Sequence, residues 1–170
     1  MIGVINASPL IYLGKLGVIR LLPQLFSEVW TSEEVKKEVL SQKATPEFPV
    51  LEEAFSTWLK IYSVKDTSLL TKLLKLNIHR GEAYVIMIAY ELKHLKKEPI
   101  AIIDDLTARE IAVTFEIPVI GTVGVLLRGV KEIFLTKEKC KNLFEKLIEE
   151  TDFRITTKLY SQILKKLEEF

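Results

Sequence analysis

A chain of 170 residues, 48% of them apolar, suits one domain, or a domain with a short appendage, and permits a sizeable core. Twenty-four basic against twenty-three acidic residues leave a net charge of +1. That balance excludes a globally basic surface, so any affinity for nucleic acid must come from local patches or a bound cation. The single cysteine, Cys140, excludes an intrachain disulfide and a cysteine-built zinc site. No leader pattern and no stretch of membrane-spanning length is present, so a soluble cytoplasmic protein is the expectation.

In chain order, Gly3-Val4-Ile5 reads as a short buried strand, and Ser8-Pro9 as an N-cap with proline at the first helical position. Leu10, Leu13 and Leu16 recur at helical spacing before Gly17. A second short helix is expected over residues 18–26, with Pro23 kinking or ending it. Glu28-Val29-Trp30 suggests the next strand. Thr31, followed three residues later by Glu34, reads as a capping box opening a helix to about Ser41, on which Val35 and Glu38 share a face.

Pro46 and Pro49 mark an expected exposed loop, and residues 58–64 an extended segment. Leu69-Leu70 and Leu73-Leu74 repeat at helical spacing. After Arg80-Gly81, Glu82 opens a helix carrying Ala83, Ile86, Ala89 and Tyr90 along one side. Residues 100–103 form a strand, a helix runs through Ala108 and Ala112, and Pro118-Val119-Ile120 is a last strand. This alternation indicates βαβ units and a parallel sheet. After Gly129 come two amphipathic stripes, one through Leu143, Leu147 and Ile148 and one through Tyr160, Ile163, Leu164 and Leu167. Such helices would cap the domain or supply a dimer contact. The expected organisation is therefore an α/β domain over residues 1–130 and a helical extension over residues 131–170.

Four positions at strand ends or helix starts carry the chemistry: Asn6, Glu38, Glu82 and the pair Asp104-Asp105. An apolar run delivers two carboxylates to its C-terminal end, where open α/β sheets place their ligands. Carboxylates gathered there without a phosphate-cradling glycine loop point to hard-metal chemistry. Each residue also has a plainer reading. Glu38 suits a solvated helix face, Glu82 is favoured at a helix start by the macrodipole, and Asp104 or Asp105 suits an N-cap. Asn6 brings no charge and cannot act as a base.

These residues carry a resemblance. Val4-Ile5-Asn6-Ala7-Ser8-Pro9-Leu10-Ile11-Tyr12-Leu13 resembles the opening of PIN domains, whose usual form has an aspartate where Asn6 stands. Val35-x-x-Glu38, Arg80-Gly81-Glu82-Ala83 and Asp104-Asp105-x-x-Ala108-Arg109 resemble later blocks of that family, in the same order. Gly121-Thr122-Val123-Gly124-Val125-Leu126 and Phe153-Arg154-Ile155 resemble a prokaryotic subgroup related to the VapC toxins.

The resemblance implies a metal-dependent endoribonuclease of toxin–antitoxin type. It implies Mg2+ or Mn2+ held by Glu38, Glu82 and one of Asp104 or Asp105, with Asn6 in the fourth place. RNA and an antitoxin protein are the implied partners, and the apolar stripes suggest a homodimer. Ser8, Arg80 and Arg109 are candidate substrate contacts. The alternative left open by Asn6 is an inactive module that binds RNA or a partner protein. A receiver-like signalling domain also uses an aspartate pair and magnesium, but carries the pair near its N-terminus.

Overall fold

The computed structural model describes residues 1–170. Its centre is a five-stranded sheet, all parallel, made of β1 (Ile2–Ile5), β2 (Glu28–Thr31), β3 (Leu59–Ile61), β4 (Pro99–Ile102) and β5 (Val119–Ile120). The order across the sheet is β3-β2-β1-β4-β5. The chain winds outward from β1 through β2 to β3, then returns to the other side of β1 for β4 and β5. The strand order thus reverses between β1 and β4, the crevice where open α/β sheets bind ligands. Ile5 pairs with Ile102, so Asn6 and the two aspartates leave the sheet side by side at this point.

Both faces of the sheet are covered, which is why its central strands are apolar runs rather than alternating ones. Val4, Ile5, Ala101, Ile102 and Ile103 have no exposed surface. Between β1 and β2 lie α1 (Ala7–Lys15) and α2 (Leu21–Leu25); α3 (Glu33–Val39) and α4 (Phe48–Thr57) lead to β3, and α5 (Thr67–Leu73) and α6 (Arg80–His94) lead to β4. Then α7 (Leu106–Thr114) leads to β5, followed by α8 (Thr122–Lys131), α9 (Lys137–Glu150) and α10 (Thr157–Glu168). Ala83, Val85, Ile86, Met87, Ile88 and Ala89 of α6 are all fully buried. The middle turns of this helix lie inside the fold, and its first turn brings Glu82 in with them.

Several local expectations are corrected. Asn6, not Ser8, is the N-cap of α1, because β1 passes directly into the helix with Asn6 extended at φ −86° and ψ 170°. Pro9 therefore stands at the third helical position, still inside the first turn whose N–H groups have no intrahelical partner. Thr31 does not cap α3. It is the last residue of β2 and donates its hydroxyl to the carbonyl of Ile5 at 2.7 Å, while Ser32 Oγ accepts from Val35 N at 3.1 Å. The second helix is confined to Leu21–Leu25, with Pro23 inside it. Pro49 opens α4 instead of marking a loop, since its fixed φ suits a first helical turn, and the preceding Glu47 is buried. The helix expected to open at Glu82 opens at Arg80, with Glu82 at its third position.

The C-terminal helices share the core of the sheet domain. One cluster of 44 buried residues includes Cys140, Leu143, Phe144 and Leu147 of α9 and Ile163 and Leu167 of α10. Phe144 stacks on Tyr160 at 5.4 Å, joining the two helices. No helix is long and apolar enough to cross a membrane.

Candidate metal centre

Asn6 is held in an unusual way for an N-cap. Such a side chain normally accepts from the second or third helical N–H, but Pro9 has none to offer and Asn6 makes no capping bond. Its Oδ1 is buried without any hydrogen-bond partner. That oxygen is turned instead toward α6 and α3. An ideal β-carbon at Gly81 would meet Asn6 Oδ1 at 2.9 Å and Glu38 Oε2 at 3.5 Å. The amide of β1 and the carboxylate of α3 thus flank one bare position on α6.

Glu82 follows immediately. Its Oε2 accepts from His79 N at 2.9 Å, closing the first turn of α6. Burial pushes its pKa up, and the negative charges of Asp105 and Glu38 push the same way against the pull of His79. Asp105 is exposed, and its Oδ1 accepts from Ala108 N at 2.8 Å to cap α7. Glu82 therefore lies within reach of the charges of both Glu38 and Asp105.

Asp104 faces the other way. Its Oδ1 accepts from Thr122 N at 2.7 Å and its Oδ2 from Thr122 Oγ1 at 2.6 Å, so β4 is tied to the start of α8. Burial raises its pKa, while Thr122 and the Arg109 guanidinium pull it down. The two adjacent aspartates have divided their duties: Asp104 fastens the edge, and Asp105 faces Glu82.

No three acidic, histidine or cysteine side chains stand close enough to enclose an ion. The arrangement is an open arc. Mg2+ and its like keep several waters and bind through one or two carboxylates rather than in all-protein cages. An unpartnered buried amide oxygen beside mutually repelling carboxylates fits such a cation. An orphaned buried acceptor costs about 1–3 kcal/mol, which a bound cation or its water would relieve.

A cleft of about 1090 Å³ opens beside this edge. Ser8, His79, Glu82, Asp104, Asp105 and Arg109 line it, but Asn6 and Glu38 do not. Arg80 is not in its wall either; it pairs with Glu34 at 3.6 Å and lies over the ring of Tyr84. The far wall is the segment from Asp152 to Thr156 together with α10. Tyr12 of α1 holds that segment by donating its hydroxyl to Asp152 Oδ1 at 3.0 Å and meeting Phe153 edge-on at 5.5 Å.

A family model described as PIN domain matches residues 2–169. This chain belongs to the PIN-domain family. No curated protein matches it. PIN domains are nuclease-type proteins that use divalent metal ions, in keeping with the donor set at the carboxyl edge of this PIN domain. Sequence reasoning missed Thr122, Gly81 and the Tyr12–Asp152 tie. Thr122 and Gly81 stand inside two of the family-like blocks, but nothing in the sequence says which side chain an adjacent backbone will meet. The tie joins residues 140 positions apart and has no local signal.

Proposed function

We propose that this PIN domain is a metal-dependent endoribonuclease of the VapC-related, toxin–antitoxin type, cutting RNA to leave a 3′-hydroxyl and a 5′-phosphate. The observation that carries the reading is the buried, unpartnered Asn6 Oδ1 beside Glu38, at an edge where burial first, and then the charges of Asp105 and Glu38, raise the pKa of Glu82. A bound Mg2+ or Mn2+ would activate a water and offset charge on the leaving oxygen. Glu38, Glu82 and Asp105 supply the negative charge that holds it, and Asn6 a neutral oxygen. Asp104, bonded twice to Thr122, keeps the end of β4 in position. Ser8 and Arg109 line the cleft where a substrate phosphate would lie, and Arg80 is better suited to steadying α3 against α6. An antitoxin partner, a cytoplasmic setting and a homodimer through the C-terminal stripes belong to the same proposal. Leu167 is already buried within its own chain, so a dimer would rest on other residues of those helices.

The second reading is a module that binds RNA or a partner protein without cleaving, and the neutral Asn6 favours it. One experiment separates the two. Asn6→Asp adds a carboxylate beside three others, so in EDTA it should lower the melting temperature through repulsion, and in Mn2+ it should raise it. RNA cleavage should rise with the metal-bound stabilisation. An equal shift in both buffers would place Asn6 outside any metal site. Tighter Mn2+ binding with intact RNA would favour the non-cleaving module.

A further inference from the structure

The cleft carries opposite charges along its length. Glu82, Asp104 and Asp105 lie in its wall with Arg109, Arg154 and Lys166. Arg109 is near enough to Asp104 to lower its pKa. Tyr12 bonds Asp152 and packs on Phe153, the residue before Arg154, so Arg154 and the acidic edge border the same cleft. No carboxylate lies within ion-pair distance of Arg109, Arg154 or Lys166. Arg154 Nη1 donates to the carbonyls of Thr151 and Phe153 at 3.2 and 3.1 Å, which fixes the guanidinium and leaves the rest of its fork unused.

A lysine near the end of α10 suits the helix dipole, but Lys165 serves that purpose equally. Only Lys166 faces the cleft. The same lining includes the half-buried Ile155 and the exposed Leu159, with the buried Leu127 behind them. Unpaired bases lie on apolar surface while their phosphates meet cations; a duplex keeps its bases stacked inside.

We propose that Arg154 and Lys166 are substrate-positioning residues that hold the phosphodiester backbone of a single-stranded polynucleotide, with its bases against Ile155 and Leu159. The proposal rests on the nuclease reading and extends it. The carboxylate edge takes the phosphate to be cut, and the C-terminal wall takes a neighbouring one. The recognised group is phosphate, so ribose and deoxyribose strands should both bind.

The test is the anisotropy of fluorescein-labelled oligo-rU and oligo-dT in EDTA, titrated across salt concentrations. The double variant Arg154→Ala, Lys166→Ala should bind about tenfold more weakly, and the slope of log K against log salt should fall by about 1.4, near 0.7 for each phosphate no longer neutralised. Arg154→Lys, Lys166→Arg should restore most of the slope. The control Lys158→Ala, Lys165→Ala removes equal charge outside the cleft and should leave both quantities near wild type. In Mn2+, the first double variant should raise KM with little change in kcat, as expected when binding common to ground state and transition state is removed.

The proposal is overturned if wild type does not bind, if the first double variant keeps wild-type affinity and slope, or if the control loses as much. It is also overturned if a duplex binds as tightly as the single strand. Binding through Arg154 and Lys166 without any cleavage in Mn2+ would uphold this wall and remove the nuclease reading instead.

Discussion

Asn6 and Gly81 face each other across the carboxyl edge of the sheet, with 2.9 Å between the amide oxygen and the place a β-carbon would take. Only glycine leaves that space open. Gly81 lies in the first turn of α6 with Val35 Cγ2 at 3.3 Å on another side of the same point, so a methyl group there has little room. Gly81→Ala should push Asn6 and Glu38 apart and weaken Mn2+ binding about 10–100-fold, the usual range when a metal site's supporting geometry is lost. Calorimetric titration with Mn2+, beside a circular dichroism spectrum showing the fold retained, checks it. Unchanged affinity would mean that Asn6 and Glu38 do not act on one ion.

Glu82 gives a pH signature. Burial first, then Asp105 and Glu38, raise its pKa above the unfolded value. The folded protein therefore keeps the proton to a higher pH than the unfolded chain does. Its contribution to stability is complete below the unfolded carboxylate range and lost as pH rises through the folded pKa. In EDTA, wild type should gain melting temperature on acidification from about pH 7 to about pH 5, the window above the ordinary glutamate value. Glu82→Gln, whose amide oxygen can still accept from His79 N, should be more stable than wild type at the upper end and gain less on acidification, the remainder coming from Asp104, whose pKa is also raised. Parallel slopes for the two proteins would show that Glu82 titrates normally.

Thr122 tests the other half of the edge. It has no exposed surface, and its hydroxyl donates to Asp104 Oδ2. Thr122→Val keeps the shape and removes the donor, so it should cost about 1.5–3 kcal/mol, the range for a hydrogen bond to a charged group. Chemical denaturation of Thr122→Val, Asp104→Asn and the double variant measures the coupling. Additive losses would mean that the two side chains are energetically independent.

The sheet was legible in the sequence because parallel strands buried on both faces are written as short apolar runs, and those around Val4 and Ile102 have no competing reading. Caps were less legible. At Thr31-Ser32 and at Asn6-Ala7-Ser8 two or more capping residues stand together, and the sheet's register decides which one ends the strand. Asp104 and Asp105 show the same limit within the site. Their chemistry is identical in the sequence, and only the neighbouring Thr122 and Ala108 N–H groups separate the fastening residue from the one facing Glu82.

Ile133 predicts a gain in stability. It is a β-branched residue at φ 63°, in the left-handed region, and it is 91% exposed. The tight exit of α8 imposes this, since Phe134 N and Leu135 N both donate to the carbonyl of Gly129. Left-handed geometry costs an L-residue roughly 1–2 kcal/mol, and glycine returns about 0.5–1 of that as unfolded-state entropy. Ile133→Gly should therefore stabilise by roughly 0.5–1 kcal/mol, a rise of about 1–4 °C in a domain of this size. A melting curve settles it, and a lower melting temperature would mean that Ile133 packs against something that offsets its strain.

The hydroxyl of Tyr12 on Asp152 sets an order of assembly. Made from its N-terminus, the chain completes β1, β4 and every residue of the acidic edge before Asp152 exists to be held. The wall bearing Arg154 and Lys166 can close only after that, by joining a segment across 140 positions to the first helix, the kind of non-local contact whose loop-closure entropy must be met before it forms. A partly synthesised protein thus has its carboxylates without the wall opposite them, and under the proposed reading competence to grip a substrate would arrive with the docking of the last helix.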